Sequence, residues 1–383
     1  MAEAVPAGRS LGLYIHVPFC VQRCHYCSFN TAPLEDGAIM TRYLAALHRE
    51  IALVAALPWA GRIVLATVFV GGGTPSLLAP DDLAAILDLV RQRCAVLAGA
   101  EVTVECNPES VSRAKLEGYR AAGMTRVSLG VQSLDDTILP VLGRLHGARE
   151  ARAAFEAARE AGVDNVSVDL MYGLPGLDPA GWSRGVEAVL DWNPDHLSAY
   201  GLTLDAGSAW GAAGGPGLPA EESVVEQYWA LARRAAARGY EHYEISNYAR
   251  AGFRSRHNQI YWRRGEYLAC GPGACGFAGD VRWGNVKSTP RYCAMLEAGA
   301  LPLDAHERLT PRQALGERLL LGLRTADGVP AAWLDERVAG DVRLHRLVSA
   351  WEERGLLARP TPERVSLTEA GFLVSDGLFV ELL

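Results

Sequence analysis

Short, nearly unbroken apolar runs alternate along this chain with longer stretches in which apolar residues recur every three or four positions. The runs read as strands buried on both faces, and the periodic stretches as helices with one apolar stripe. In order, they predict strand 11–17, a polar loop, helix 36–57, strand 64–70, helix 80–93, strand 101–105 and helix 110–122. Strand 126–130, helices between 135 and 162, strand 165–170, helix 179–192 and strand 196–200 continue the pattern. That makes six strand–helix units. Helix 221–238 and a strand around 240–245 add a closing edge. Beyond about residue 301 the alternation gives way to helices at 311–324, 330–338 and 342–354, a hairpin over 356–367 turning at Pro360-Thr361-Pro362-Glu363, and a last helix from Thr368.

Repeated strand–helix alternation implies a parallel sheet with right-handed crossovers, either doubly wound or rolled into a barrel. The positions of the polar residues separate the two. A doubly wound sheet concentrates its ligand at one switch point, whereas a barrel enzyme assembles its site from many strand ends. Here Cys20 follows the first strand, a glycine run the second and Glu105 the third; Gln132, Asp169 and Tyr200 close the fourth, fifth and sixth. The expected fold is therefore α/β, an open partial (β/α)6 barrel. The expected domains are a tail at 1–10, the barrel at 11–245, a connecting segment at 246–300 and a small winged-helix-like C-terminal domain at 301–383.

Composition narrows the classes. Hydrophobic residues make up 49% of 383 positions and charged residues 21%, as in a globular protein. A net charge of −7 gives no general attraction to nucleic acid or anionic lipid. The winged-helix-like region carries 10 arginines, no lysine and 13 acidic residues, so it lacks a phosphate-binding footprint, and no nucleic-acid partner is expected. No apolar stretch has transmembrane length, and residues 1–10 hold no signal-peptide core. Five of the eight cysteines, Cys94, Cys106, Cys270, Cys275 and Cys293, are scattered without pattern, which fits a reducing compartment and predicts a cytoplasmic protein.

The other three, Cys20, Cys24 and Cys27, fall within eight residues. Soft thiolates this close suit zinc or an iron–sulfur cluster, and C-x3-C-x2-C does not match the paired C-x2-C of a zinc ribbon. Three ligands leave a four-site centre one position short. The run Cys20 to Cys27, with Tyr26 as its aromatic, resembles the signature of the radical S-adenosylmethionine (SAM) superfamily. That resemblance implies a [4Fe–4S] cluster on the three cysteines and SAM at its open iron. It also gives the glycine run a role. Gly71-Gly72-Gly73-Thr74 alone fits neither a phosphate loop nor G-x-G-x-x-G, but its place matches the segment at which superfamily backbones approach SAM.

Glu105, Gln132, Arg144 and Asp169 can each be ordinary caps or surface groups. As a set in strand order, within Ser128-Leu129-Gly130-Val131-Gln132-Ser133, Leu142-Gly143-Arg144-Leu145-His146 and Asp169-Leu170-Met171-Tyr172-Gly173-Leu174-Pro175-Gly176, they resemble the coproporphyrinogen-oxidase-like branch. The resemblance makes them SAM contacts, together with Tyr14 and Tyr26. Within that branch, the oxygen-independent oxidase usually has a fourth cysteine where this chain has Phe29, and a longer N-terminal arm. His257-Asn258-Gln259-Ile260-Tyr261-Trp262 matches instead the H-N-x-x-Y-W motif of the HemW subfamily, regarded as haem chaperones. This implies haem as cargo, contacted by His257, Asn258, Tyr261 and Trp262, an acceptor haemoprotein and a reductant for the cluster. The family's G-P-G-A-H-G reads Gly271-Pro272-Gly273-Ala274-Cys275-Gly276 here. Coproporphyrinogen III oxidation, or a related SAM-dependent methyl transfer, is the alternative function. A peripheral membrane contact and a homodimer stay open.

Overall fold

The computed structural model describes residues 10–58, 60 and 63–382; nearly all of the expected tail at 1–10 lies outside them. The chain runs through β1 (Ser10–Val17), a short pair β2 (Phe19–Cys20) and β3 (Ala32–Pro33), then β4 (Val64–Gly72), β5 (Ala95–Cys106), β6 (Arg126–Gln132), β7 (Asn165–Tyr172) and β8 (His196–Gly201). β1, β4, β5, β6, β7 and β8 pair in that order, all parallel. These are the six expected units. Helices between them cover the outer face with the expected stripes. In helix Gly37–Ala55 the Asp36 carboxylate caps the Ala38 amide at 2.9 Å, and Tyr43, Ala46, Leu47, Glu50 and Ile51 are buried on one side.

The sheet curls. Tyr14 of β1 and Tyr200 of β8, strands at opposite ends of the parallel run, line one cavity of about 230 Å³. A flat sheet could not bring them together, so the six strands form a partial barrel.

Both edges differ from expectation. β9 (Glu241–Glu244) is an edge strand but does not pair with β8; the chain reverses at once, and β10 (Asn247–Ala249) lies antiparallel between them. At the other side β11 (Tyr267–Cys270) pairs parallel with β1, and β12 (Cys275–Ala278), β13 (Val281–Asn285) and β14 (Leu303–Arg308) extend the sheet to twelve strands. Sequence pattern missed these four because they are short, and β13 and β14 also mix polar with apolar residues; all six residues of β14 are exposed. They are strands through pairing, not through a local signal.

The C-terminal region has its own core of Leu319, Leu334, Val348, Trp351, Val365 and Phe372. Here β15 (Val329–Pro330), β17 (Arg364–Leu367) and β16 (Leu357–Thr361) form a three-stranded sheet in that order, with helices Pro311–Leu323, Ala331–Val338 and Val342–Glu353. The final helix breaks at Val374 into Glu369–Leu373 and Ser375–Leu382. This unit is tied to the barrel edge through the backbone bonds Ala326 N–H to Tyr243 O (3.0 Å) and Ile245 N–H to Arg324 O (3.1 Å). Among the described residues no helix is long and apolar enough to cross a membrane.

Candidate functional site

β1 delivers the chain to the barrel mouth at Val17, and β2 carries Cys20 beside β3. From there the cysteine loop is clamped on several sides. The His25 amide donates to Leu142 O at 3.1 Å, Arg23 donates to Gly207 O at 2.9 Å, the Ser28 hydroxyl donates to Asp205 at 2.8 Å, and the Trp210 amide donates to His25 O at 3.0 Å. The segment after β8 thus folds back over the loop, a role with no sequence signal.

All eight cysteines are free thiols. A tetrahedral zinc needs its ligands aimed at one point; among the described residues no three His, Cys, Asp or Glu side chains converge in that way. Ligands of a four-iron cluster sit on different irons and need no common point. Burial pushes the Cys20 and Cys27 thiols up. The donor set and its rigid loop fit a cluster.

The glycine run packs directly on this loop. The Gly73 amide donates to Val17 O at 2.8 Å and the Thr74 amide to Phe19 O at 2.7 Å. A Cβ on Gly73 would lie 2.5 Å from Phe19 O, and one on Gly72, at φ +113°, would lie 2.5 Å from the His16 ring. Glycine is required here because the cysteine loop and the His16 ring pack against the backbone where a side chain would stand. The neutral His16 ring is fixed in one tautomer. Its Nε2–H donates to Asn30 O at 2.9 Å, so Nδ1 accepts from the Tyr14 hydroxyl at 2.9 Å. Asn30 in turn donates to Pro272 O and Lys287 O, both at 3.0 Å. This locks the Gly271–Gly273 turn to the mouth. Cys275, just beyond, is exposed, with Sγ 3.8 Å from Gly273 O.

Arg144 links the loop to the strand ends. Its guanidinium donates to Asn107 Oδ1 at 2.8 Å and to Gly130 O, and Nη1 lies 3.6 Å from Cys24 Sγ. Gln132 joins them. It sits at φ +65° after a register shift between Gly130 and Gln132, which turns its side chain over Gly130 alongside Asn107 and Arg144. Asn107, which sequence reasoning did not single out, also donates to Thr74 Oγ1 at 3.2 Å. Tyr26 is half-buried beside Arg144, Cys24 and Trp210.

Glu105 and Asp169 lie deeper, on the cavity wall with Tyr14. Burial pushes the Glu105 carboxyl up to about 7, opposed by the bond it accepts from the Gly72 amide at 2.9 Å. Burial also raises Asp169, which accepts from Ser128 at 3.0 Å and Ser167 at 3.3 Å. Two buried carboxyls on one wall can accept hydrogen bonds from a diol.

The expected haem set lies elsewhere. Helix Arg256–Trp262 plugs the N-terminal end of the barrel, its first amides capped by Glu101, which accepts from Arg256 N at 3.1 Å and His257 N at 3.0 Å. His257 is 1% exposed; Nδ1 pairs with the Thr67 hydroxyl at 2.7 Å and Nε2 with the Tyr261 hydroxyl at 2.8 Å. Burial lowers its pKa to about 3. No ring nitrogen is free for iron. Asn258 and Tyr261 face the cavity floor, and Trp262 stacks under Arg324, 5.1 Å from its ring centroid. In this arrangement His257, Asn258 and Tyr261 line the floor of the barrel cavity, with both His257 ring nitrogens taken up by the Thr67 and Tyr261 hydroxyls.

The mouth is rimmed instead by exposed apolar groups. Val21 and Phe29 on the cysteine loop are 54% and 64% exposed; Val141 and Leu145, on the turn that loop bonds to, are 41% and 51% exposed.

Comparison with known proteins agrees with this geometry. The Radical SAM superfamily pattern matches residues 14–183. Heme chaperone HemW of Mycobacterium tuberculosis is 38% identical over 98% of this chain and 95% of its own, and that of Bacillus subtilis 33% identical over 96% and 97%. The structure of Escherichia coli coproporphyrinogen III oxidase (HemN), a radical SAM enzyme, superposes with a TM-score of 0.87 at 21% identity, covering 100% of this chain and 91% of that one, and so shares the fold. With a radical SAM barrel, a three-cysteine loop at its mouth and full-length relatives of this kind, the chain belongs to the HemW family of the radical SAM superfamily.

Proposed function

We propose that this protein is a haem chaperone that works from the barrel mouth. Cys20, Cys24 and Cys27 would hold a [4Fe–4S] cluster, and Gly71 to Thr74, Gln132, Arg144, Glu105 and Asp169, with Tyr14 and Tyr26, would hold SAM. A cluster held by Cys20, Cys24 and Cys27 would supply redox chemistry at the SAM site. The chain's own part is to orient and to exclude water: Arg144 ties Cys24 to Asn107, and Glu105 and Asp169 accept hydrogen bonds inside the barrel. Haem, the cargo, would lie on the apolar rim of Val21, Phe29, Val141 and Leu145 and pass to an acceptor haemoprotein in the cytoplasm after a reductant sets the cluster. Phe29, where the oxidase carries a further cysteine, offers flat apolar surface rather than a thiolate.

The observation that carries this reading is the juxtaposition of three free thiols, a side-chain-free glycine edge and Arg144 on one rigid mouth. Anaerobic reconstitution with iron and sulfide should give a cluster absorption that Cys24→Ala abolishes; its absence in the wild-type chain refutes the assignment. The reduced protein should bind added haem and should not turn over coproporphyrinogen III in the presence of SAM. Repeated formation of protoporphyrinogen would establish the oxidase alternative instead.

A further inference from the structure

Arg126 is 2% exposed at the start of β6, yet no described residue offers it a hydrogen bond or an ion pair, and its Nε is buried without a partner. A buried charge in that state is costly unless something nearby uses it. The sheet register shows what does. Arg126 lies level with Thr103 and Asn165; on the same face of its strand follow Ser128, level with Glu105, and Gly130, level with Asp169. Each such step is about 6.6 Å along the strand. The guanidinium thus rises from below toward both carboxylates, and all three groups line the one cavity.

No other cation lines the cavity among the described residues. The titratable groups bordering the cavity besides Arg126 are Tyr14, Glu105, Asp169, Tyr200, His257 and Tyr261. The tyrosines carry no positive charge, and burial holds His257 neutral. Beneath them His196, bonded to the Ser167 hydroxyl at 2.8 Å and the Tyr243 hydroxyl at 2.7 Å, is also held neutral by burial. Glu101 and Glu244, buried behind the floor, add only negative charge, and Cys106 behind Glu105 is a neutral thiol.

We infer that Arg126 is a positioning residue: the one cation among the described residues lining the cavity, it favours the ionised forms of Glu105 and Asp169, which accept hydrogen bonds from the ribose diol of SAM. This rests on the SAM site proposed above. Arg126 touches neither the cluster loop nor the glycine edge; it acts through the two carboxylates. At a distance greater than an ion pair it also leaves their oxygens free for the ligand, which a direct salt bridge would not.

The test is the pH dependence of SAM binding to the full reconstituted chain, by equilibrium dialysis, for wild type, Arg126→Met and Arg126→Lys, with melting curves alongside. Wild-type affinity should fall as pH drops through about 7, where Glu105 takes a proton. Arg126→Met should move that midpoint up by about one unit, weakening binding about fivefold at neutral pH and recovering it near pH 9. Arg126→Lys, which keeps the charge, should leave the midpoint in place, and it carries the test if the methionine variant does not fold. An unshifted midpoint in Arg126→Met, or a lysine variant with native melting that shifts or loses affinity at every pH, overturns the inference. No SAM binding by the wild type overturns the proposed SAM site itself.

Discussion

Replacing Gly73 by alanine tests whether the glycine edge and the cysteine loop are one mechanical unit. The added Cβ would sit 2.5 Å from Phe19 O, 2.9 Å from Phe19 C and 3.0 Å from Phe19 N. These are backbone atoms, so no rotamer change relieves the clash; the strand must retreat by about 1 Å to reach ordinary contact. Phe19 O accepts the Thr74 amide at 2.7 Å, and the Gly73 amide holds Val17 O at 2.8 Å, so the retreat strains both bonds. Overpacking costs about 1–3 kcal/mol and each of the two weakened bonds about 1 kcal/mol, giving a loss of about 3–5 kcal/mol. The displaced residue precedes Cys20, so cluster incorporation should suffer with stability. The assay is iron content and visible absorption after anaerobic reconstitution, with thermal melting of the same samples. Gly185→Ala, inside helix Pro179–Asp191 with nothing within 4 Å of its new methyl, is the control and should stabilise by up to about 1 kcal/mol. A Gly73→Ala protein with wild-type melting and a full complement of iron would refute the reasoning.

Three other outcomes are expected. Glu50, 1% exposed, accepts from the Gly271 amide at 2.7 Å, Asn285 Nδ2 at 2.6 Å and the Tyr292 hydroxyl, and burial raises it to about 7. A raised carboxyl pKa gives a contribution present in full below about pH 4.5 and lost as pH rises through about 7. The stability advantage of wild type over Glu50→Gln in urea unfolding should therefore shrink by about 1.4 kcal/mol per pH unit across that window, and a constant difference counts against the assignment. His257→Ala leaves the Thr67 and Tyr261 hydroxyls unpaired and should cost about 2–4 kcal/mol while sparing haem affinity. Loss of the haem absorption shift in a variant that melts like wild type would restore His257 as a ligand. Glu101→Gln removes the charge capping helix Arg256–Trp262 and should raise amide exchange there, with a cost of about 1–2 kcal/mol; unchanged exchange would show that the cap is idle.

Local sequence determined much of this protein. Apolar runs of strand length and periodic helices, punctuated by caps such as Asp36, specify six β/α units, because period and capping act within a few residues. The spacing of Cys20, Cys24 and Cys27 fixes that three thiols share a loop, and Gly71 to Thr74 that a bare backbone follows the next parallel strand. Tertiary structure decided the rest. Only pairing across more than 200 residues sets β11 beside β1, and only the return of segment 205–210 clamps the cysteine loop. The His257 motif, conspicuous as a string, became a floor plug because its two ring nitrogens meet Thr67 and Tyr261 in the folded chain. Arg126 looks like any strand-opening arginine until register stacks it beneath Glu105 and Asp169. Chemistry at a barrel's centre depends on which side chains from distant strands face one another, and that follows from register and curvature, which no local pattern encodes.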